Sequence, residues 1–289
     1  MNTLRSKMAP YYLMLPGGLW LAIFFAVPIV MMIGLSTMTG NVISGFGETW
    51  QHFGNYVQGF TQYTPEWIRS AEYAGLGCLI SIVLSYPIAY WIAFYGGSRK
   101  STYLFLLLLP FFVSFVLRTI AWNYILGDQG LILGPLKHWG LIAPGFRVLA
   151  TGSAVVIGIV YNYLPFMILP IYVALERVDP TVIEAGRDLY AGSATVFRKV
   201  VLPLSLPGVF AGVLLNFVPA ASDYVNASVL GGTGNTMIGN IIYDQYFVVQ
   251  NYPVQASLSF SLMGILLIGI FLYARALGTE EVLEAAAAI

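Results

Sequence analysis

Charge is what this sequence has least of. Asp, Glu, Lys and Arg together make up 9% of its 289 residues, where a soluble globular domain carries about 25%. Hydrophobic residues reach 58% and mean hydropathy +0.78, so too few polar side chains remain to cover a water-facing surface. Part of the solvent has to be a bilayer. Cysteine is nearly absent: Cys78 stands alone, which excludes an internal disulfide, and its apolar surroundings suit a packing residue. Histidine is scarce too. Two His in polar stretches provide too few ligands for a haem, iron–sulfur or zinc site, and no nucleophile–base pair, so no catalytic role is expected for this chain. Basic and acidic residues balance at 13 each, and no net charge invites nucleic acid.

What the chain does have is length of apolar run. A bilayer core about 30 Å thick takes roughly 20 helical residues to cross, and six stretches qualify: 11–34, 73–95, 103–127, 148–175, 202–230 and 254–273. Arg118 and Asp223 are the charged residues within them. No period-two alternation of the barrel type is present. The expectation is therefore an all-α integral membrane protein, residues 1–289 forming one transmembrane domain. The first run is too long for a cleavable signal and lacks a small-residue cleavage site after it, so it is expected to be the first span.

Lys and Arg in the flanks set orientation. Nine of the 13 (Arg5, Lys7, Arg99, Lys100, Arg177, Arg187, Arg198, Lys199, Arg275) fall on one side and three (Arg69, Lys137, Arg147) on the other. The first side should be cytoplasmic, and six crossings place both termini there. Three longer connections would then lie outside; their acids (Glu48, Glu66, Glu72, Asp128, Asp244) slightly outnumber their basic residues, a weak bias toward a cationic solute. Polar and aromatic residues such as Trp50, Tyr56, Tyr63 and Trp67 mark the first of these connections, and the closing EEVLEAAAAI reads as a frayed helical tail. Gly, Ser and Pro are frequent within the spans, where small residues let helices approach closely and prolines such as Pro219 can shape a hinge.

Two places carry candidate chemistry. The segment 176–203 starts a helix at Asp179-Pro180, with Asp as N-cap and Pro at the first helical position. Val182, Gly186 and Leu189, with Ile183 and Tyr190, make an apolar stripe; Gly192-Ser193 breaks the helix, and Ser193 can cap a second carrying Val196, Phe197, Val200 and Val201. Two short amphipathic helices on the cytoplasmic face fit a docking surface and a lipid-interface helix equally on periodicity. The other place is Asp223, an acid in a span. Such residues face a bundle interior or an aqueous cavity, and a cationic amine needs a carboxylate and aromatic faces. Tyr224, Tyr161, Tyr163 and Trp122 can supply the aromatics, Asn162 and Asn216 the hydrogen bonds. Counted from residue 202, Asp223 falls about 32 Å along a continuous helix, near the outer mouth. The structural alternative pairs it with Arg118, which could instead snorkel outward.

The run from Glu184 to Pro203 resembles the EAA signature of permease subunits of binding-protein-dependent ABC importers: Glu-Ala-Ala, three residues, Gly, nine residues, an aliphatic, one residue, Leu-Pro. It matches at Glu184, Ala185, Val200 or Val201, Leu202 and Pro203, and departs at Gly186 (family Ala) and Tyr190 (family turn Gly). A left-handed backbone costs a non-Gly residue about 1–2 kcal/mol, so Tyr190 is not expected to keep that turn, and Gly192 is expected to carry the break. The resemblance narrows to permeases of spermidine/putrescine importers, the B-type subunit in particular, through YPIAYWIAF at 86–94, LLPFFVSFVLRTIAWNYILGDQGLI at 108–132, FVPAASDYVNASVLGG at 217–232 and MIGNIIYDQYF at 237–247. Ala227 stands where that family usually has Pro.

The resemblance implies a type I ABC importer permease fold in the bacterial cytoplasmic membrane and alternating access for a small cationic solute. It also implies separate ATPase subunits, a second permease subunit (a hetero- or homodimer) and an extracytoplasmic solute-binding protein. ATP and Mg would sit on the ATPases, with no cofactor here: GGTGNT at 231–236 lacks the Lys of a phosphate-binding loop. Glu184, with Ala185, Gly186, Asp188, Leu189, Tyr190 and Gly192 around it, would form the coupling helix surface that meets the ATPase. Other solutes such as thiamine, ferric ion or an organic ion remain alternatives at this point; a secondary transporter would show repeated halves, and none is present.

Overall fold

The computed structural model describes residues 14–41, 45–47 and 53–277. The start of the first run, Arg5, Lys7, Glu48, Trp50 and the EEVLEAAAAI segment lie outside those residues. Five described helices are long and apolar enough to cross a membrane, six when a bent pair counts as one: α1 (Met14–Ser36), α3 (Thr64–Tyr95), the pair α4 (Gly97–Phe112) and α5 (Phe115–Leu126), α7 (Gly152–Glu176), α9 (Ser193–Ala221) and α11 (Tyr252–Leu277). Shorter helices sit between them: α2 (Gly54–Gln62), α6 (Leu133–His138), α8 (Pro180–Asp188) and α10 (Ile238–Phe247). A two-strand hairpin, β1 (Thr39–Asn41) and β2 (Gly45–Gly47), is the one departure from all-α structure among the described residues.

The chain divides into two compact units. One holds the described residues up to Thr64 together with Ile242–Gly264. In it Asn55 donates from Nδ2 to the carbonyls of Ser36 and Met38, both at 2.9 Å, and so ties α2 to the end of α1. The other, Pro65–Ile241 with Ile265 onward, contains both candidate sites. Its core runs along α7 and α9. Ile168, Ile171, Leu175 and Val201 are buried at one end with Ala89 and Ile92 of α3; Val155, Ile159 and Ala220 are buried at the other with Ala74. Close approach of α7 and α9 is set by glycine: a Cβ on Gly208 would lie 2.5 Å from the Pro170 carbonyl oxygen, and one on Gly212 2.7 Å from Met167 Sδ.

Proline shapes the helices rather than ending them. Pro28 and Pro203 lack the N–H that would bond the carbonyl four residues back. In each case the preceding turn widens to π geometry, Ala22–Ala26 and Phe197–Val201, and the residue before the proline bonds five residues back, Val27 N–H to Ala22 and Leu202 N–H to Phe197.

Three expectations are corrected. The third run is not one straight helix: α4 and α5 are bent by 88° at the break between them, after a tight turn over Leu109–Phe112 that carries Pro110. The fifth does not run to residue 230: α9 stops at Ala221, and helical structure resumes only at residue 225, ending in the π turn Ala227–Gly231. And the second amphipathic helix of the 176–203 segment is no separate element, because it is the first turns of α9.

Candidate functional site

Sequence chemistry builds the elbow between α7 and α9 step by step. Asp179 caps α8: its Oδ1 accepts the Thr181 N–H at 2.9 Å, and Pro180 takes the first helical position. The hydrogen bonds from Thr181 hold the Asp179 carboxyl below the usual carboxylate range. With the folded value depressed, the cap is at full strength above the ordinary Asp pKa and is lost as pH falls through the folded one. At the other end Tyr190 N–H bonds the Arg187 carbonyl and Ala191 N–H the Gly186 carbonyl, the paired bonds of a Schellman cap. Tyr190 takes the position that glycine usually fills, with φ 58°. This overturns the expectation that Gly192 would carry the turn. Gly192 is extended (φ −64°, ψ 154°) and caps α9 in place of Ser193, which is the first helical residue.

The apolar stripe of α8 is split. Ile183 packs inward on the core, as does Phe197, whose ring meets Tyr86 and Tyr90 edge-on at 5.7 and 5.8 Å. Gly186 faces Val196, whose Cγ2 would lie 3.2 Å from a Cβ there. Leu189 and Tyr190 point away from the chain, 82% and 99% exposed. Glu184, Ala185, Asp188 and Gly192 are exposed beside them.

The second site is a buried polar cluster at the far end of α9. Asp223 falls in the break after Ala221 and is only 5% exposed. Its Oδ1 accepts the N–H groups of Val225 (2.9 Å) and Asn226 (3.0 Å), which makes it the N-cap of the resumed helix. Its Oδ2 accepts from Asn226 Nδ2 and from the Tyr163 hydroxyl, at 3.3 Å. Asn226 Oδ1 in turn accepts from Thr119 of α5 and Asn162 of α7, at 3.3 and 3.1 Å, and Asn216 Nδ2 donates to the Tyr163 carbonyl. Asp223 and Tyr163 are thus bonded directly and Asn162 joins them through Asn226, an arrangement in which these groups satisfy one another. Trp122 and Tyr161 meet each other edge-on at 5.2 Å one residue along α7 from Asn162. Tyr224 is half exposed, and its carbonyl accepts from Asn240 at 2.9 Å.

Arg118 pairs with no acid among the described residues. It stands over the Phe111 ring, 4.2 Å from its centre, which corrects the ion-pair expectation. Thr119 and Asn226 are the residues that sequence reasoning passed over. Asn226 is the hub, and its signal was its place three residues after an acid that follows Pro219, the spacing of a capped helix start.

Long apolar helices, an elbow with its tip exposed, and a buried polar cluster at the far end of the helix leaving that elbow are features that a membrane transport subunit requires. Residues 79–277 match the model of the family "Binding-protein-dependent transport system inner membrane component", and the chain belongs to that family. It is a multi-pass protein of the cytoplasmic (inner) membrane. It is similar to the spermidine/putrescine transport system permease protein PotB of Haemophilus influenzae, 32% identical over 89% of this chain and 90% of that one. Its similarity to PotB of Escherichia coli is 33% identity over 92% and 98%. Among solved structures, a chain of the bacterial alginate ABC transporter in complex with an alginate pentasaccharide-bound periplasmic protein shares the fold, with TM-score 0.74 and 15% identity over 95% of each chain.

Proposed function

We propose that this chain is the membrane-spanning subunit of an ATP-driven importer of polyamines, spermidine and putrescine, and works by alternating access. The observation that carries this reading is relatedness along nearly the whole chain to two polyamine-transport permeases, over 89% and 92% of its length. Its partners are ATPase subunits, a second permease subunit and an external solute-binding protein; ATP and Mg²⁺ belong on the ATPases. The excess of Lys and Arg beside the elbow supports placing it, and both chain ends, on the cytoplasmic side.

Exposed Glu184, Ala185, Asp188, Leu189, Tyr190 and Gly192 form the surface offered to the ATPase, while Gly186 and Ile183 seat α8 on the bundle. The lever is α9. Its 29 residues leave the elbow without interruption and span about 44 Å at 1.5 Å per residue, ending beside the Asp223 cluster. A displacement of the elbow therefore reaches the buried polar groups as motion of one rod. The test is uptake of radiolabelled spermidine by the complete transporter in proteoliposomes. Uptake is expected to require ATP and the solute-binding protein; ATP-driven uptake of thiamine or ferric ion, with none of spermidine or putrescine, would overturn the polyamine assignment.

A further inference from the structure

Arg118 is the charged group of the bundle that the mechanism above leaves without a task. Its Nε and Nη1 are buried with no hydrogen-bond partner among the described residues, and none of the ion pairs found there includes it. The guanidinium carbon lies 4.2 Å from the centre of the Phe111 ring and 5.8 Å from that of Phe115. Those two residues stand on opposite sides of the 88° bend between α4 and α5, so one cation holds rings from both halves. The aromatic surface continues from there. Phe111 stacks on Tyr161 at 6.0 Å, and Phe115 lies 5.9 Å from the ring of Tyr163.

A ring face attracts an alkylammonium as it attracts a guanidinium. The carboxylate of this region is already engaged, since Asp223 accepts from Val225, Asn226 and Tyr163. The cation-binding surface on offer is therefore aromatic, and Arg118 stands on it. We infer that Arg118 is a tethered stand-in for the ammonium group of the solute. It occupies the Phe111–Phe115 face and has to leave that face when a cation enters, which makes it a specificity-determining residue. That the cation is a polyamine rests on the proposed function; the site itself does not.

Arg118→Gln removes the competitor and leaves the rings. In the assembled transporter its KM for spermidine is expected to fall about 2- to 30-fold, the range of one desolvated cation–π contact, with kcat nearly unchanged. Arg118→Lys keeps a tethered cation and should stay within about twofold of wild type. A KM for Arg118→Gln that is unchanged or raised, or equal KM values for the two variants, would overturn the inference. Arg118→Met serves in its place should Arg118→Gln fail to assemble. Binding of tetraethylammonium to the same complexes without ATP separates this inference from the polyamine reading. Arg118→Gln should gain binding over wild type, and adding Phe111→Leu should abolish the gain. That result with no polyamine uptake by wild type would sink the polyamine reading alone; spermidine uptake with no such gain would sink the role of Arg118 alone.

Discussion

Tyr190 holds a left-handed backbone at φ 58° while its ring is 99% exposed. A side chain in that conformation costs about 1–2 kcal/mol, and a ring in solvent returns none of it within the chain. Strain that the fold does not recover is found where a residue is used by something else, which on the proposed function is the ATPase docking on the elbow. Tyr190→Gly should therefore separate the two effects. The cap is expected to tighten by about 1 kcal/mol, slowing amide exchange around residues 186–191 roughly fivefold, while ATP-driven uptake falls. Exchange followed by mass spectrometry, beside transport, checks both; uptake at the wild-type level would remove the ring from the docking surface. Single residues were legible where chemistry is local. The Asp179 cap follows from residue type and spacing, whereas Asn162, Tyr163 and Asp223 were singled out by type without the bonds that join them. Tyr190 was misjudged because the penalty for positive φ was weighed and a use for the exposed ring was not. Asp223 was placed within a continuous helix because Pro219 was read as a hinge and not as the approach to a new cap.

At the scale of elements, α7 and α9 are held by three small residues and an asparagine at fixed spacing. Gly208, Gly212, Asn216 and Ala220 fall four apart on one buried face of α9, the arrangement that lets two membrane helices come close. A Cβ on Gly208 meets Ala174 Cβ and the Pro170 carbonyl at 2.5 Å, neither of which can swing aside. On Gly212 the nearest atom is the Met167 sulfur, the end of a flexible side chain. Gly208→Ala should thus destabilise the detergent-solubilised protein by about 1–3 kcal/mol and Gly212→Ala by less. Gly264→Ala, with open space around it, should be close to neutral in the same thermal melts. Equal melting of the Gly208 and Gly264 variants would contradict the close-packed seam. Span composition was legible because a bilayer demands length and apolarity of every crossing. The bend between α4 and α5 was not, since Pro110 in an apolar run is compatible with a kink, a break or neither, and neighbouring helices decide. The same holds for α9: its apolar run starts at Leu202, yet the helix begins at Ser193 because Val196 and Phe197 find partners on Gly186, Tyr86 and Tyr90.

For the whole molecule, transport requires that work done at one end of a rod appear at the other. The elbow and the polar cluster were each visible in the sequence, one as a motif and one as an acid in an apolar run. That a single helix joins them was not, because the motif was read as two helices and the acid as part of a third. Glu184 tests the joined picture. Its side chain is exposed on α8 and belongs to none of the ion pairs of the described residues, so Glu184→Ala removes nothing the fold depends on, and surface changes of that kind stay within about 0.5 kcal/mol. The variant should insert, assemble with the second permease and melt as wild type does, yet lose most ATP-driven spermidine uptake. ATPase turnover in the complex should no longer respond to the loaded binding protein. Arg118→Gln, at the other end of the rod, should leave that response intact and alter only the solute concentration at which it appears. A Glu184→Ala transporter that moves spermidine at the wild-type rate would show that force enters the bundle elsewhere than at this elbow.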